Sequence, residues 1–320
     1  MELVKIILLL LLGFVVLVKS SDKFVDAVSS IATNLKMSKM MIALTVAAFG
    51  TCAPELAISF QSIAAGTGDI ALANVLGSNV VNILLIVGLA ACVHPIRVKI
   101  DVIKKELPIL IVVTSLFAIA IMGHYVGVSN AEFILDRQDG ILFISFFVMF
   151  MFYIIQVVRA KQSIFEHEEA QYPLWKSIIM SVVCCVIIIL SSNLVVDNAK
   201  LLAEYLHLST KIVTMTVVVI GTSLPEMTMT IVAAKKEEFD IALGNIIGTN
   251  IFNIGVVLGL PLLIFGGFSS TSFNLIDIFA VHLAAFVLYL FAKNDKVLNK
   301  VEGAIMIIIF VLYYTYIMVV

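Results

Sequence analysis

Apolar side chains fall into ten runs along this chain, each bounded by charged residues or by clusters of Gly and Pro. The runs are Lys5–Val18, Met40–Ala65, Ile70–Val93, Leu107–Met122, Gly140–Val158, Ser177–Val196, Ile212–Ala234, Ile241–Phe265, Ile276–Ala292 and Gly303–Val320. A helix that crosses a bilayer needs about 20 consecutive apolar residues. The pattern therefore predicts an all-α polytopic membrane protein with ten transmembrane helices and short connections. The first and sixth runs lead straight into polar stretches, into which their helices can extend. The N-terminal run has a weakly basic start and no small-residue cleavage site after it, so it reads as a first span rather than a signal peptide.

Composition makes lipid the solvent for most side chains. Of 320 residues, 62% are hydrophobic and 13% charged, whereas soluble domains carry about 25% charged residues. Charge also orients the spans. With alternate connections placed inside, starting after the first span, the 20 Lys and Arg divide 16 inside to 4 outside, the four being Lys5, Arg137, Lys200 and Lys211. This bias predicts a cell-membrane protein with both termini extracytoplasmic and the central connection, 159–176, cytoplasmic. Glu166, His167, Glu168 and Glu169 in that connection read as a solvated surface. The cysteines, Cys52, Cys92, Cys184 and Cys185, all lie in apolar runs, so no disulfide framework is expected, and Cys92, Cys184 and Cys185 read as packing residues. Nothing in the charge pattern points to nucleic acid. Neither a nucleophile–His–acid arrangement nor an H-E-x-x-H motif points to an enzyme.

A shift of 171 residues aligns the chain with itself without a gap. Gly50-Thr51-Cys52-Ala53-Pro54-Glu55 meets Gly221-Thr222-Ser223-Leu224-Pro225-Glu226. Farther on, nine of the fifteen pairs between Asp69–Ile83 and Asp240–Ile254 are identical, among them Asn, Gly and Asp, which apolar low complexity does not match by chance. Residues 1–158 thus form a first five-helix repeat and 177–320 a second. An odd number of spans inverts the second copy, and inverted repeats of this kind place a substrate near the membrane midplane, where interrupted helices meet.

Of the 22 acidic residues, only Glu55 and Glu226 fall well inside an apolar run. A charge there costs about 3 kcal/mol on insertion scales, and no Lys or Arg is placed at matching depth. Pro54 and Pro225 precede the two acids and remove a helical donor, which predicts loosened carbonyls at Gly50 and Gly221 that turn toward a cation. Thr51 and Thr222 stand four residues before the acids, on the same helical face. Asn74, Ser78 and Asn82, and likewise Asn245, Thr249 and Asn253, recur every fourth residue. The outermost pair, Asn74 and Asn245, equally suits a helix-joining role. Apart from Cys52 the inventory is all oxygen, the ligand set of a hard cation; calcium takes such sites flexibly, and two carboxylates balance one divalent or two monovalent ions. No cofactor is expected.

The paired Gly-Thr-x-x-Pro-Glu segments, each followed by Gly-Ser/Thr-Asn-x-x-Asn, resemble the alpha repeats of the sodium/calcium exchanger family of calcium/cation antiporters, over nearly the whole chain. The resemblance implies ten helices, with short spans one and six lying across the core and sliding to switch access. It implies that Glu55 and Glu226 hold calcium with the carbonyls of Thr51 and Thr222. Flanking sodium sites would use the carbonyls of Ala48 and Val219, the hydroxyls of Ser78 and Thr249, and the side chain of Ser223. Cys52 departs from the Ser usual in this motif, and a thiol is a poor ligand for a hard cation. Asn82 and Asn253 are both amides where some relatives carry Asp, which weakens a case for potassium co-transport. The central connection leaves no room for a large regulatory domain, and no oligomer is implied. Sodium-driven calcium antiport by alternating access is the expected function; calcium/proton antiport and a cation channel are the alternatives.

Overall fold

The computed structural model describes residues 2–125, 133–161, 170–205, 219–270, 273 and 275–319. In chain order the first half contains α1 (Glu2–Asn34), α2 (Lys39–Thr51), α3 (Ala53–Ala64), α4 (Gly68–Val93), β1 (Ile96–Arg97), α5 (Val102–Met122), β2 (Phe133–Leu135) and α6 (Arg137–Lys161). The second half contains α7 (Leu174–Tyr205), α8 (Val219–Thr222), α9 (Leu224–Lys235), α10 (Phe239–Phe265), β3 (Phe268–Ser270), α11 (Leu275–Asp295), β4 (Val297–Leu298) and α12 (Lys300–Val319). Among the described residues, eight helices are long and apolar enough to cross a membrane, and α2 with α3 makes a ninth, bent by 51°. The expected span Ile212–Ala234 begins outside the described residues, and α8 and α9 are its described part. Glu166, His167, Glu168 and Glu169 also lie outside them.

Spans one and six are not short. Helix α1 has 33 residues and α7 has 32, each about 50 Å at 1.5 Å per residue and so longer than the hydrocarbon core. The reason is visible in α1, whose polar second half finds partners instead of ending the helix. Ser20 donates to the Val16 carbonyl, Ser21 to the Thr228 hydroxyl at 2.9 Å, and Ser29 to Glu238 at 3.1 Å. The two long helices lie along each other in the most extensive helix pairing among the described residues.

Two interrupted hairpins form the centre. Helix breaks occur at matched positions, Cys52 (ψ 1°) and Ser223 (ψ 10°), and Pro54 and Pro225 sit in the first turn of the helix that follows each break. Proline is tolerated there because that N–H has no helical acceptor in any case. Helices α4 and α10 return from these breaks and are the most enclosed spans. Both contain a π-helical stretch at matched places, Val81–Val87 and Asn253–Leu258; such stretches re-aim side chains within an otherwise regular helix.

Small residues let the helices approach closely enough to exclude lipid. Gly244 and Gly248, four apart on α10, lie against Met40, Ala43, Leu44 and Ala48 of α2, where a Cβ on Gly248 would come within 2.6 Å of the Leu44 carbonyl. Gly88 of α4 meets Gly303 of α12, and Gly259 of α10 meets Gly140 of α6. Each central helix therefore packs on the last span of the opposite half, and one apolar core runs through both. The short strands repeat this exchange: β1 pairs antiparallel with β4, and β2 with β3.

Candidate functional site

The chain breaks at Cys52 and Ser223 place Glu55 and Glu226 in the first turns of α3 and α9. Partial positive charge at a helix N-terminus favours a carboxylate there. Both side chains are buried, Glu55 at 1% and Glu226 at 0% exposure. They lie close enough for their charges to repel. No Lys or Arg among the described residues forms an ion pair with either, and among those residues Glu55 Oε2 and both Glu226 oxygens meet no donor in good hydrogen-bonding geometry, the Thr51 hydroxyl being the group beside Glu226. Buried polar atoms are nearly always satisfied, so this concentration of unsatisfied acceptors makes the place the candidate site for a positive guest.

Most of the remaining predicted side chains are buried as well. Thr51 lies beside Glu226, across from its own half. Ser78, Asn82, Ser223, Thr249 and Asn253 are buried, and Ser78 Oγ, Ser223 Oγ, Thr249 Oγ1, Asn253 Oδ1 and both amide atoms of Asn82 have no partner among the described residues. Val219 opens α8 and Thr222 closes it, immediately before the break. The Ala48 carbonyl accepts from the Cys52 N–H at 3.1 Å and from the Thr51 hydroxyl at 3.4 Å. Cys52 is fully buried beside Thr249. Both Glu226 and Glu55 lie near enough to act electrostatically on its thiol, although no three His, Cys, Asp or Glu among the described residues form a metal-binding cluster.

Asn74 and Asn245 join helices. Asn74 donates to the Glu55 carbonyl at 3.2 Å and to the Ser59 hydroxyl at 3.4 Å, and Asn245 donates to the Thr230 hydroxyl at 3.4 Å. Matching bonds thus tie α3 to α4 and α9 to α10 just beyond the acids.

The carbonyls freed by the prolines each meet a donor on α7. Cys185 Sγ donates to the Gly50 carbonyl at 3.2 Å, and Ser192 Oγ donates to the Gly221 carbonyl at 3.3 Å. A buried acceptor takes the nearest donor, and α7 passes both breaks. Cys185 is therefore a hydrogen-bonding residue as well as a packing one.

Two further pairs escaped the fourfold spacing. Asn79 and Asn250, one residue off the stripe, are fully buried, and Asn253 Nδ2 donates to Asn79 Oδ1 at 3.1 Å, across the two halves. Glu106 and Asp277, also related by the repeat, are buried at the starts of α5 and α11 and accept hydrogen bonds from Tyr153 at 3.0 Å and Tyr313 at 3.3 Å. Their place at span ends, with Glu106 directly after Lys104 and Lys105, hid them in the sequence.

At one end of the molecule, α1 is fastened to the second half. Lys236 bonds Asp26 at 2.6 Å and Asp22 at 2.9 Å, and beside them Lys39 at the start of α2 bonds Glu238 at 2.9 Å. Burial alone lowers the Lys236 pKa, but the hydrogen bonds to Asp26 and Asp22 outweigh it and raise the value above the ordinary 10.5. A raised lysine stabilises fully below its unfolded value and loses that contribution only as pH rises through the folded one. The fastening thus stays intact across neutral pH. Lys236→Met is expected to speed amide hydrogen exchange in the last turns of α1, up to Asn34; unchanged protection there would show that the ion pairs hold nothing in place.

Comparison with known proteins agrees with this fold. The family model described as sodium/calcium exchanger protein matches residues 5–156 and 176–319. The sodium/calcium exchanger MaX1 of Methanosarcina acetivorans is 30% identical, with 96% of each chain covered. The inner membrane protein YrbG of Escherichia coli is 37% identical over 81% of this chain and 80% of its own. A solved structure of the sodium-calcium exchanger NCX_Mj superposes with a TM-score of 0.81 at 28% identity, covering 97% of this chain and 98% of the other. The matched breaks and the buried acids belong here to a multi-pass membrane protein of the sodium/calcium exchanger family.

Proposed function

We propose that this chain exchanges calcium for sodium by alternating access at a site centred on Glu55 and Glu226. The observation that carries the reading is the mutual approach of two buried carboxylates, one from each half, at matched helix breaks and without an ion-pair partner among the described residues. The oxygens of Thr51, Thr222, Ser223, Ser78, Thr249, Asn82 and Asn253 complete the set, with the carbonyls of Val219 and, once the Thr51 hydroxyl turns away, Ala48. Calcium accepts six to eight such oxygens. Two sodium ions balance the same charge, so one cargo must leave before the other binds. An unfilled pair of like charges is unfavourable in a low-dielectric interior, which discourages the transition without cargo.

The orientation places both termini outside the cell. With ten spans, the connections carrying β1 and β4 share the inner side and those carrying β2 and β3 the outer, in keeping with the strand pairing. The halves 1–158 and 177–320 act as the two repeats, joined by a cytoplasmic connection.

Protons also neutralise carboxylates, and vesicles separate the two drivers. Calcium uptake into proteoliposomes is expected to follow an outward sodium gradient at equal pH. Uptake driven by a pH gradient alone, with sodium without effect, would assign the counter-ion as the proton. Cys52→Ser restores a hard oxygen at the first break, matching Ser223, and is expected to lower the sodium concentration for half-maximal exchange about threefold or more. No change would place the thiol outside the sodium path.

A further inference from the structure

The ribbon formed by β1 and β4 gathers a set of cations that the exchange site does not use. Arg97 lies on β1, and Lys99, Lys104 and Lys105 follow it into the start of α5. Lys293 and Lys296 precede and flank β4, and Lys300 opens α12. All seven are exposed, and they come from both halves of the chain. Lys99 pairs with Asp240 at 2.7 Å, but Arg97, Lys104, Lys105, Lys293, Lys296 and Lys300 form no ion pair among the described residues. The neighbouring exposed acids are Asp101 and Asp295; Glu106 and Glu302 are buried and accept from Tyr153 and the Asn299 N–H. The other ribbon, β2 with β3, has Arg137 beside Asp136 and Asp139.

The depth of these cations follows from helical register. Lys105 stands seven and fourteen residues before Val112 and Ile119, which are exposed on the apolar outer face of α5. Lys293 stands three and seven residues after Leu290 and Phe286 on the exposed face of α11, with its ammonium 5.8 Å from the Tyr289 ring. Lys300 heads the row of Ile308 and Val311 on α12. Apolar rows facing outward on a spanning helix meet acyl chains, and a cation at the end of such a row meets the headgroups. Basic clusters at this level attract anionic lipid.

We propose that the β1–β4 ribbon is a binding site for an anionic phospholipid, whose phosphate bridges Lys104 and Lys105 of the first half to Lys296 and Lys300 of the second. The lipid neutralises side chains that would otherwise repel one another, and so secures the junction between the halves. This site is independent of the nature of the exchanged ions.

The test is native mass spectrometry of the full-length protein released from nanodiscs of phosphatidylglycerol and phosphatidylcholine. Wild-type protein is expected to retain phosphatidylglycerol at least tenfold over phosphatidylcholine, less so as salt rises from 50 to 500 mM. The variant K104Q/K105Q/K296Q/K300Q should lose that preference, and the corresponding four arginines should keep it. Competition by inorganic phosphate but not by phosphatidylglycerol would assign the site to a free anion and overturn the proposal. So would equal retention of both lipids by the wild type, a preference indifferent to salt, or a preference unchanged in the Gln variant. If the Gln variant does not fold, the salt series on the unmodified protein decides.

Discussion

Glu226→Gln is expected to cut sodium-driven calcium uptake by at least about 100-fold, because ligand charge sets calcium affinity over several decades. Glu55→Gln should match it closely, since the two acids hold equivalent places after equivalent breaks. Glutamine keeps the volume and one acceptor while deleting the charge, so the loss reports electrostatics rather than packing. A second measurement separates function from folding. In calcium-free buffer either variant should melt at a higher temperature than the wild type, because an uncompensated buried charge is costly. Added calcium should raise the midpoint of the wild type and leave both variants unmoved. Uptake within a few-fold of wild type in either variant would remove that glutamate from the site.

Gly248→Leu should be nearly as damaging, for a reason of shape. The first added carbon would stand 2.6 Å from the Leu44 carbonyl and 2.8 Å from the Ala48 Cβ. Both contacts involve parts of α2 that cannot swing aside, so α10 must back away from α2. Overpacking of this kind typically costs about 1–3 kcal/mol, and the retreat also carries Thr249 away from Cys52. Thermal melting should fall and exchange should be lost in the protein that still folds. Normal melting and normal exchange together would mean that the crossing is looser than its geometry.

Much of this architecture is written in the sequence because a membrane makes every polar residue conspicuous. Glu55 and Glu226 stand out in apolar runs, and the 171-residue repeat makes each the check on the other. The helix breaks followed from Pro54 and Pro225. Less legible were interactions that depend on which helix passes by. The fate of the Gly50 and Gly221 carbonyls hinges on Cys185 and Ser192 of α7, distant in sequence and ordinary in composition. That α1 could extend beyond its apolar run was legible, but not how far, because Ser20–Asn34 depends on Ser21, Asp22, Asp26 and Ser29 meeting the second half. Asn79 was missed because a fourth-residue rule assumes a regular helix and a single inner face. In α4 nearly the whole circumference is buried, and a π-helical stretch follows directly.

Cys185 and Ser192 stand two turns apart on one continuous helix, about 10 Å along its axis, and each grips the kink of a different half. A rigid rod fastened to two joints transmits whatever happens at either. A displacement of α7 along its axis large enough to free Gly50 would strain the grip on Gly221 in the same stroke, so the joints would yield together. A molecule wired in this way has little use for a state in which one half has rearranged and the other has not.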